Sequence, residues 1–313
     1  MGKTVYLFSG QGAQYMGMGL DFAGNREVKD IFSLGSEILG WDIISAIRDK
    51  SKEELGNTLI SQPAIFSVSL AALKMAESAG LKAQAVAGHS LGEYAALVAS
   101  KILSAEEGFK AIKLRCEAMN RAALKNPGGM AAVLGAESEQ VDQICKEISK
   151  KGADYYIISA NYNSPAQTVI SGTVAGLQTA IDMLKAAGIR KVIRLAVSAA
   201  FHSLLMESAA NEVESGLKNF KFKEPIVEFY SNINGNKLED YSDMPGYLGK
   251  HICAPVRFVN ELTALKNNGY DTFIELGPDK ILTGLVKKTL LDVKAVNIEN
   301  NETLNAVKKE LLC

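Results

Sequence analysis

Residues 85–92, Ala85-Val86-Ala87-Gly88-His89-Ser90-Leu91-Gly92, constrain the fold more than any other stretch of this 313-residue chain. A short apolar run ends in a serine set between two glycines, and a helix-forming run, Glu93 to Leu103, follows directly. That succession predicts a strand, a sharp turn and a helix, the layout of a nucleophile elbow. In such a turn the serine is held in a strained backbone conformation with its hydroxyl exposed, and the glycines keep side chains away from the neighbouring strand and helix. The helix start offers free N–H groups and a partial positive charge, which stabilise the negative charge that develops when a serine attacks a carbonyl. Acyl transfer through a covalent serine ester is the chemistry implied. A bare G-x-S-x-G also occurs in ordinary turns, so the weight lies in the strand before it and the helix after it.

The surrounding pattern is that of a parallel sheet covered by helices. Val5 to Phe8 reads as a strand ending in the turn Ser9-Gly10-Gln11-Gly12. Ser51-Lys52-Glu53-Glu54 and Ser104-Ala105-Glu106-Glu107 match the capping box, the second opening a helix through about Ala123. Asn126-Pro127-Gly128-Gly129 reads as a break. After it come strand Met130 to Leu134, helix Ser138 to Lys151, strands Tyr155 to Ala160 and Thr168 to Ser171, helix Thr173 to Ala187 and strand Val192 to Val197. This β-α-β-β-α-β order predicts a ferredoxin-like small subdomain, residues 127–197, inserted into a hydrolase-like α/β large domain made of residues 1–126 and 198–313. Strands Val227 to Ser231, Thr272 to Leu276 and Ala295 to Ile298 complete the large domain, and the cleft between the two parts is the expected substrate site. There is no internal repeat and no low-complexity tract.

A serine hydroxyl is a poor nucleophile at neutral pH and needs a base within hydrogen-bond reach, most often histidine. The chain has three histidines. His89 adjoins the serine with its side chain directed away from the hydroxyl, so it reads as a supporting hydrogen-bonder. His202 lies where a β-type segment gives way to the helical run Leu204 to Leu217, and His251 lies between a helix-like stretch and Pro255. Loops at strand ends are where such folds present catalytic groups, which favours His202 while leaving His251 open.

A net charge of −1 suggests neither nucleic acid nor an anionic membrane as partner, and 47% hydrophobic residues can form a large core. Apolar stretches such as Ser61 to Leu73 fall short of a membrane span, and the N-terminus lacks a signal-peptide pattern, so a cytoplasmic protein is expected; a monomer is expected separately. Cys116, Cys145, Cys253 and Cys313 are far apart without C-x-x-C spacing, which predicts free thiols, no disulfide framework and no metal site.

Further motifs join the elbow in sequence order: Phe8-Ser9-Gly10-Gln11-Gly12-Ala13-Gln14, Ser61-Gln62-Pro63-Ala64, Leu114-Arg115, Gly129 to Val133, Asn161-Tyr162-Asn163-Ser164-Pro165, Ala200-Phe201-His202-Ser203, Pro255-Val256-Arg257 and Glu275-Leu276-Gly277-Pro278. Together they span nearly the whole chain, which resembles the malonyl-CoA:acyl-carrier-protein transacylases and, more distantly, the acyltransferase domains of polyketide synthases. The resemblance implies Ser90 as acylated nucleophile, His202 as general base and then acid, and the backbone N–H groups of Gln11 and Leu91 as oxyanion hole. It implies Arg115 as the partner of a malonyl carboxylate, which a planar guanidinium can hold bidentately. Taken alone, Arg115 reads as a solvated helix charge beside Lys113 and Glu117, and the resemblance reverses that reading. Phe201 and Leu91 match the malonyl-selective form, the Phe201 ring crowding a methyl branch. Gln62, Asn161 and Asn163 match positions near the acyl or pantetheine groups, and His89 is counted with them as a candidate substrate-binding residue. Where the family commonly has a glutamine whose backbone carbonyl orients the catalytic histidine, this chain has His251.

The function so implied is ping-pong transfer of malonyl from malonyl-CoA to the phosphopantetheine thiol of an acyl carrier protein for fatty-acid synthesis, with CoA thioester as substrate and no metal or bound cofactor. Arg190, Lys191 and Arg194 are a candidate docking patch for the acidic carrier. Three alternatives stay open: a trans-acting acyltransferase of a polyketide synthase, a serine thioesterase or hydrolase using the same turn, and a carrier-binding scaffold without chemistry.

Overall fold

The structure, a computed structural model, describes residues 2–197 and 199–312; Ser198, at the expected junction of small and large parts, and the Cys313 thiol lie outside the described residues. Among the described residues ten strands form two sheets: β1 Lys3–Phe8, β2 Ala85–Gly88, β3 Gly128–Leu134, β4 Ile157–Ser164, β5 Gln167–Thr173, β6 Lys191–Arg194, β7 Glu228–Ser231, β8 Asn236–Lys237, β9 Tyr270–Leu276 and β10 Lys294–Ile298. The first sheet runs β10-β9-β1-β2-β7-β8. Its pairs are parallel except β7–β8, a short antiparallel hairpin that the sequence reading did not anticipate. Both faces are covered, because alternate residues of each strand enter different clusters: Tyr6, Phe8 and Val86 on one side, Val5, Leu7, Ala85 and Ala87 on the other.

The second sheet is antiparallel, in the order β4-β5-β3-β6. One face, with Ala131, Val133, Ile157 and Ile170, packs on the helices Ser138–Ser149 and Val174–Ala186. The opposite face carries Met130, Ala132 and Val169 toward the first sheet. The two parts are stitched together where Tyr162 N donates to Val256 O and Val256 N to Ala160 O, each at 2.8 Å, beside a break in the β4–β5 register at Asn161.

Several expected boundaries move. Gly128 and Gly129 belong to β3, paired with Thr173 and Gly172, because the ladder with β5 overrides their turn preference. The helix after the serine turn stops at Ala99 rather than Leu103, and Lys101 takes a positive φ of 67°. The segment after Arg194 is not strand, and Tyr155 lies in a short 3-10 turn ahead of β4. Both capping boxes form, on Ser51 and Ser104, and the second starts the helix Ala105–Lys125.

The apolar run at Ser61 is also longer than expected. It belongs to the helix Thr58–Ser78, whose 21 residues are long and apolar enough by length and composition to cross a membrane. Every residue from Ser61 to Leu73 is buried in the protein, with Ile65, Phe66 and Val68 in the main cluster, so here its apolar character is matched by a protein core.

Candidate active site

Ser90 stands at the carboxyl end of β2, in a turn whose backbone is strained: its φ is 53°, a left-handed value that costs a non-glycine residue about 1–2 kcal/mol. The flanking glycines are fixed by contact. A Cβ at Gly88 would lie 2.1 Å from the carbonyl carbon of Gly92, and one at Gly92 would lie 2.0 Å from the carbonyl oxygen of Phe8 in β1. The helix Gly92–Ala99 therefore packs directly onto the strands, with Leu91 as its N-cap residue.

His202 also has a positive φ, 56°, on the loop between β6 and the helix Glu207–Leu217. Its Nε2 lies 2.7 Å from Ser90 Oγ. Its Nδ1 lies 2.9 Å from the carbonyl oxygen of Ala254, which can only accept, so Nδ1 carries the proton and Nε2 presents a lone pair to the hydroxyl. The expectation that the His251 carbonyl plays this part needs correction. The helix Met244–Cys253 ends with Ala254 as its C-cap, one turn beyond His251, and it is the Ala254 carbonyl that reaches Nδ1. The His251 carbonyl favours the charged ring only as the smallest of the causes acting on it. The helix C-terminus thus turns its negative end to the imidazole where a triad would have a carboxylate. Burial, then the positive charge of Arg115, push the His202 pKa down to about 3.

The His251 ring is wholly buried behind this pair, its centroid 5.7 Å from that of His202. Its Nε2 sits 3.3 Å from both Glu93 Oε2 and Asn232 Oδ1, so it is not the histidine that meets Ser90. Burial first, and then the charges of His202, Arg115 and His89, keep it neutral well below the ordinary histidine range. The third ring, His89, has Nε2 2.7 Å from Asn163 Oδ1 and an edge against Phe258.

Arg115 lies on the inner face of the helix Ala105–Lys125 and is 1% exposed. Its Nη1 donates to Gln62 Oε1 at 2.5 Å, its Nη2 to Ser90 Oγ at 3.0 Å, and its guanidinium sits over the Tyr94 ring at 5.4 Å. Lys113 and Glu117 point elsewhere, to Ile38 O and Arg121. Among the described residues no carboxylate pairs with Arg115, and its Nε has no partner. A buried guanidinium without an anion is costly, and burial lowers its pKa accordingly; an anionic ligand would supply the missing charge. Gln62 links this group to Gln11, whose Oε1 accepts from Gln62 Nε2 at 3.2 Å.

A cavity of about 260 Å³ has Gln11, Gln62, His89, Ser90, Arg115, Asn161, Asn163, Phe201 and His202 in its lining. Leu91 and His251 lie behind it, and Phe201 also lines an adjoining groove over Met119 and Val197. The Gln11 and Leu91 N–H groups donate to no other protein group among the described residues. Cys116, Cys145 and Cys253 are free thiols, and burial raises the pKa of each; no group of three or more His, Cys, Asp or Glu among the described residues could hold a metal.

Sequence reasoning missed the layer beneath the serine turn. Asn232, Glu93, Glu261 and Tyr247 form a buried polar network there, in which Tyr247 Oη donates to Glu93 and Asn232 Nδ2 to Glu261 Oε1 at 2.7 Å. Burial pushes Glu93 up to about 8 and Glu261 well above the carboxylate range. The one available signal was position: Asn232 follows the last apolar residues of β7, at the carboxyl edge of the sheet.

The carboxyl edge of the parallel sheet presents a serine paired with a histidine, and the chain belongs to the acyl transferase domain family, whose profile matches residues 5–311. It is similar in particular to the malonyl CoA-acyl carrier protein transacylase of Bacillus subtilis (strain 168), 36% identical over 305 residues that cover 97% of this chain and 96% of that one. The crystal structure of the transacylase of the same name from Clostridium perfringens superposes with a TM-score of 0.93 at 37% identity, covering 99% of this chain and 97% of the other. A solved complex of a type II PKS acyl-carrier protein with its malonyl-transacylase matches with a TM-score of 0.93 at 29% identity, covering 98% of this chain and 99% of that one.

Proposed function

We propose that the protein transfers a malonyl group from malonyl-CoA to the phosphopantetheine thiol of an acyl carrier protein. The observation that carries this reading is Arg115: a buried guanidinium, unpaired with any carboxylate among the described residues, with one nitrogen 3.0 Å from Ser90 Oγ. A malonyl thioester bound at Ser90 has a free carboxylate to offer that group.

The steps follow from the atoms present. His202 Nε2 takes the Ser90 proton as Oγ attacks the thioester carbonyl, and the oxyanion forms toward the Gln11 and Leu91 N–H groups, each worth about 3 kcal/mol by analogy with other such donors. The tetrahedral adduct collapses, the C–S bond breaks, and CoA leaves with the proton from His202. The carrier thiol then attacks the malonyl ester carbonyl, giving its proton to His202; the C–Oγ bond breaks as the new C–S bond is kept, and Ser90 Oγ leaves with the proton from His202. No metal or bound cofactor enters these steps. Gln62, Asn161, Asn163 and His89 line the acyl and pantetheine path, and Phe201 crowds a branched acyl group.

The Ser90 turn is read as a nucleophile elbow on its positive φ and glycine contacts. The order β4-β5-β3-β6 with two helices on one face supports reading residues 127–197 as a ferredoxin-like insertion between residues 1–126 and 198–313. Arg190, Lys191 and Arg194 are exposed at the edge strand β6, and Arg194 is engaged by the Gln178 amide rather than by an acid, which suits a surface for an acidic carrier. The test is incubation with a mixture of acyl-CoAs, then intact-mass measurement of the loaded protein and of fatty-acid and polyketide carrier proteins added to it. A malonyl adduct passed to a carrier is expected; release of free malonate without carrier loading would replace the transferase by a thioesterase.

A further inference from the structure

We infer that Asn232 is a positioning residue for the nucleophile, its side-chain amide holding the strained Ser90 backbone as the next rung of the β2–β7 ladder; this rests on Ser90 being the nucleophile, not on the identity of the acyl group. The parallel pairing of β2 with β7 stops at Val86↔Phe229. In a parallel ladder one residue of a strand donates its N–H to a carbonyl on its neighbour and accepts from the N–H two residues further on. Asn232 does this with its side chain: Nδ2 donates to Gly88 O at 2.6 Å, and Oδ1 accepts from Ser90 N at 2.7 Å. On the other flank, His89 N donates to Phe8 O at 3.1 Å. The three residues of the turn are thus pinned from both sides, at the place where the main chain of β7 no longer pairs with β2.

The amide cannot turn over. Gly88 O can only accept and Ser90 N–H can only donate, while Nδ2 also donates to Glu261 Oε1 at 2.7 Å and His251 Nε2 lies 3.3 Å from Oδ1. His251 Nδ1 is without a partner, which suits a neutral ring with its proton on Nε2 shared between Asn232 and Glu93. The Asn232 backbone N–H is bound in turn by Glu93 Oε1. Five polar groups therefore converge on one buried asparagine with no solvent-exposed atom, an arrangement that fixes an orientation more than it adds stability. The sequence relation is remote, 142 residues from Asn232 to Ser90.

The experiment uses a fluorophosphonate, which reacts with an activated serine and carries no carboxylate, so its outcome is independent of malonyl selectivity. Labelling of Ser90 is followed by intact mass, and kinact and KI are separated, for the wild type, Asn232→Ala and the isosteric Asn232→Asp, which keeps an acceptor for Ser90 N–H but loses the donor to Gly88 O. In folded variants kinact is expected to fall about a hundredfold, as for a small misplacement of a reacting atom, with KI unchanged. Wild-type kinact in either folded variant would overturn the assignment. So would loss of folding in both variants, which would make Asn232 a stability residue, and so would a wild-type label on a residue other than Ser90, which would remove the nucleophile it is said to position.

Discussion

Ser90 leaves a parallel strand buried on both faces, whereas Asn161 and Asn163 sit on an antiparallel strand of a sheet with helices on one face and the cavity on the other. The parallel sheet places its reacting atom through the backbone, with a positive φ, two glycines that cannot gain a Cβ, and hydrogen bonds on both flanks. The antiparallel sheet contributes side chains two residues apart on one face, which can change without moving the main chain. In the proposed function, chemistry is thereby tied to geometry that tolerates little, and substrate choice to side chains that tolerate more. The arginine belongs with the first region by position and with the second by its proposed role, since its helix packs on the large part while Arg115 lines the cavity shared with Asn161 and Asn163.

The comparison breaks first at the reacting pair. Ser90→Ala is expected to abolish adduct formation in intact-mass assays at an unchanged melting temperature, since the hydroxyl contributes little packing. His202→Ala should slow loading about 10²–10⁴-fold, and far more than His251→Ala; the reverse ranking would move the base to His251.

Arg115→Ala sharpens the division between chemistry and selectivity. The malonyl carboxylate would stay buried without its partner, a cost of about 3–5 kcal/mol, so malonyl loading should fall by about two or more orders of magnitude relative to acetyl loading. An equal fall for both acyl-CoAs would make the residue structural.

Phe201→Ala tests the permissive wall. Removing the ring should raise loading of a methyl-branched acyl-CoA about tenfold against malonyl-CoA, within what one methyl group decides in an apolar pocket. No change in that ratio would place the selecting surface elsewhere.

The smallest effect expected is in the pH profile. The proposed mechanism uses His202 as base in its neutral form, and burial with the Arg115 charge pushes its pKa down to about 3 from the ordinary 6.5. The loading rate should then show no inflection near pH 6.5 and decline only in more acidic solution as the ring takes up its proton. A midpoint near 6.5 would mean that burial and the Arg115 charge are offset by the Ala254 carbonyl and the helix end behind it.

What could be read from the chain was local punctuation. An apolar run, a glycine-flanked serine and a helix start determine the turn at Ser90, because strand, turn and helix are set by residues close in sequence. The capping boxes at Ser51 and Ser104 and the β-α-β-β-α-β succession were legible for the same reason, while the β7–β8 hairpin was too short to leave a pattern. The pairing of Ser90 with His202, 112 residues away, was narrowed by counting histidines, but only the tertiary structure separates His202 from His251. The acceptor for His202 Nδ1 shows the limit most clearly. His251 and Ala254 are three residues apart, and which carbonyl reaches the ring depends on where the helix Met244–Cys253 ends and how it is docked. Asn232 was invisible for a related reason: its roles come from Gly88, Ser90, Glu93, His251 and Glu261, brought together by folding from separate elements. Sequence determines which groups are available and the local conformations they prefer. The distances and burial that turn a solvated helix charge into an unpaired guanidinium beside a serine arise only when remote elements exclude water from between them.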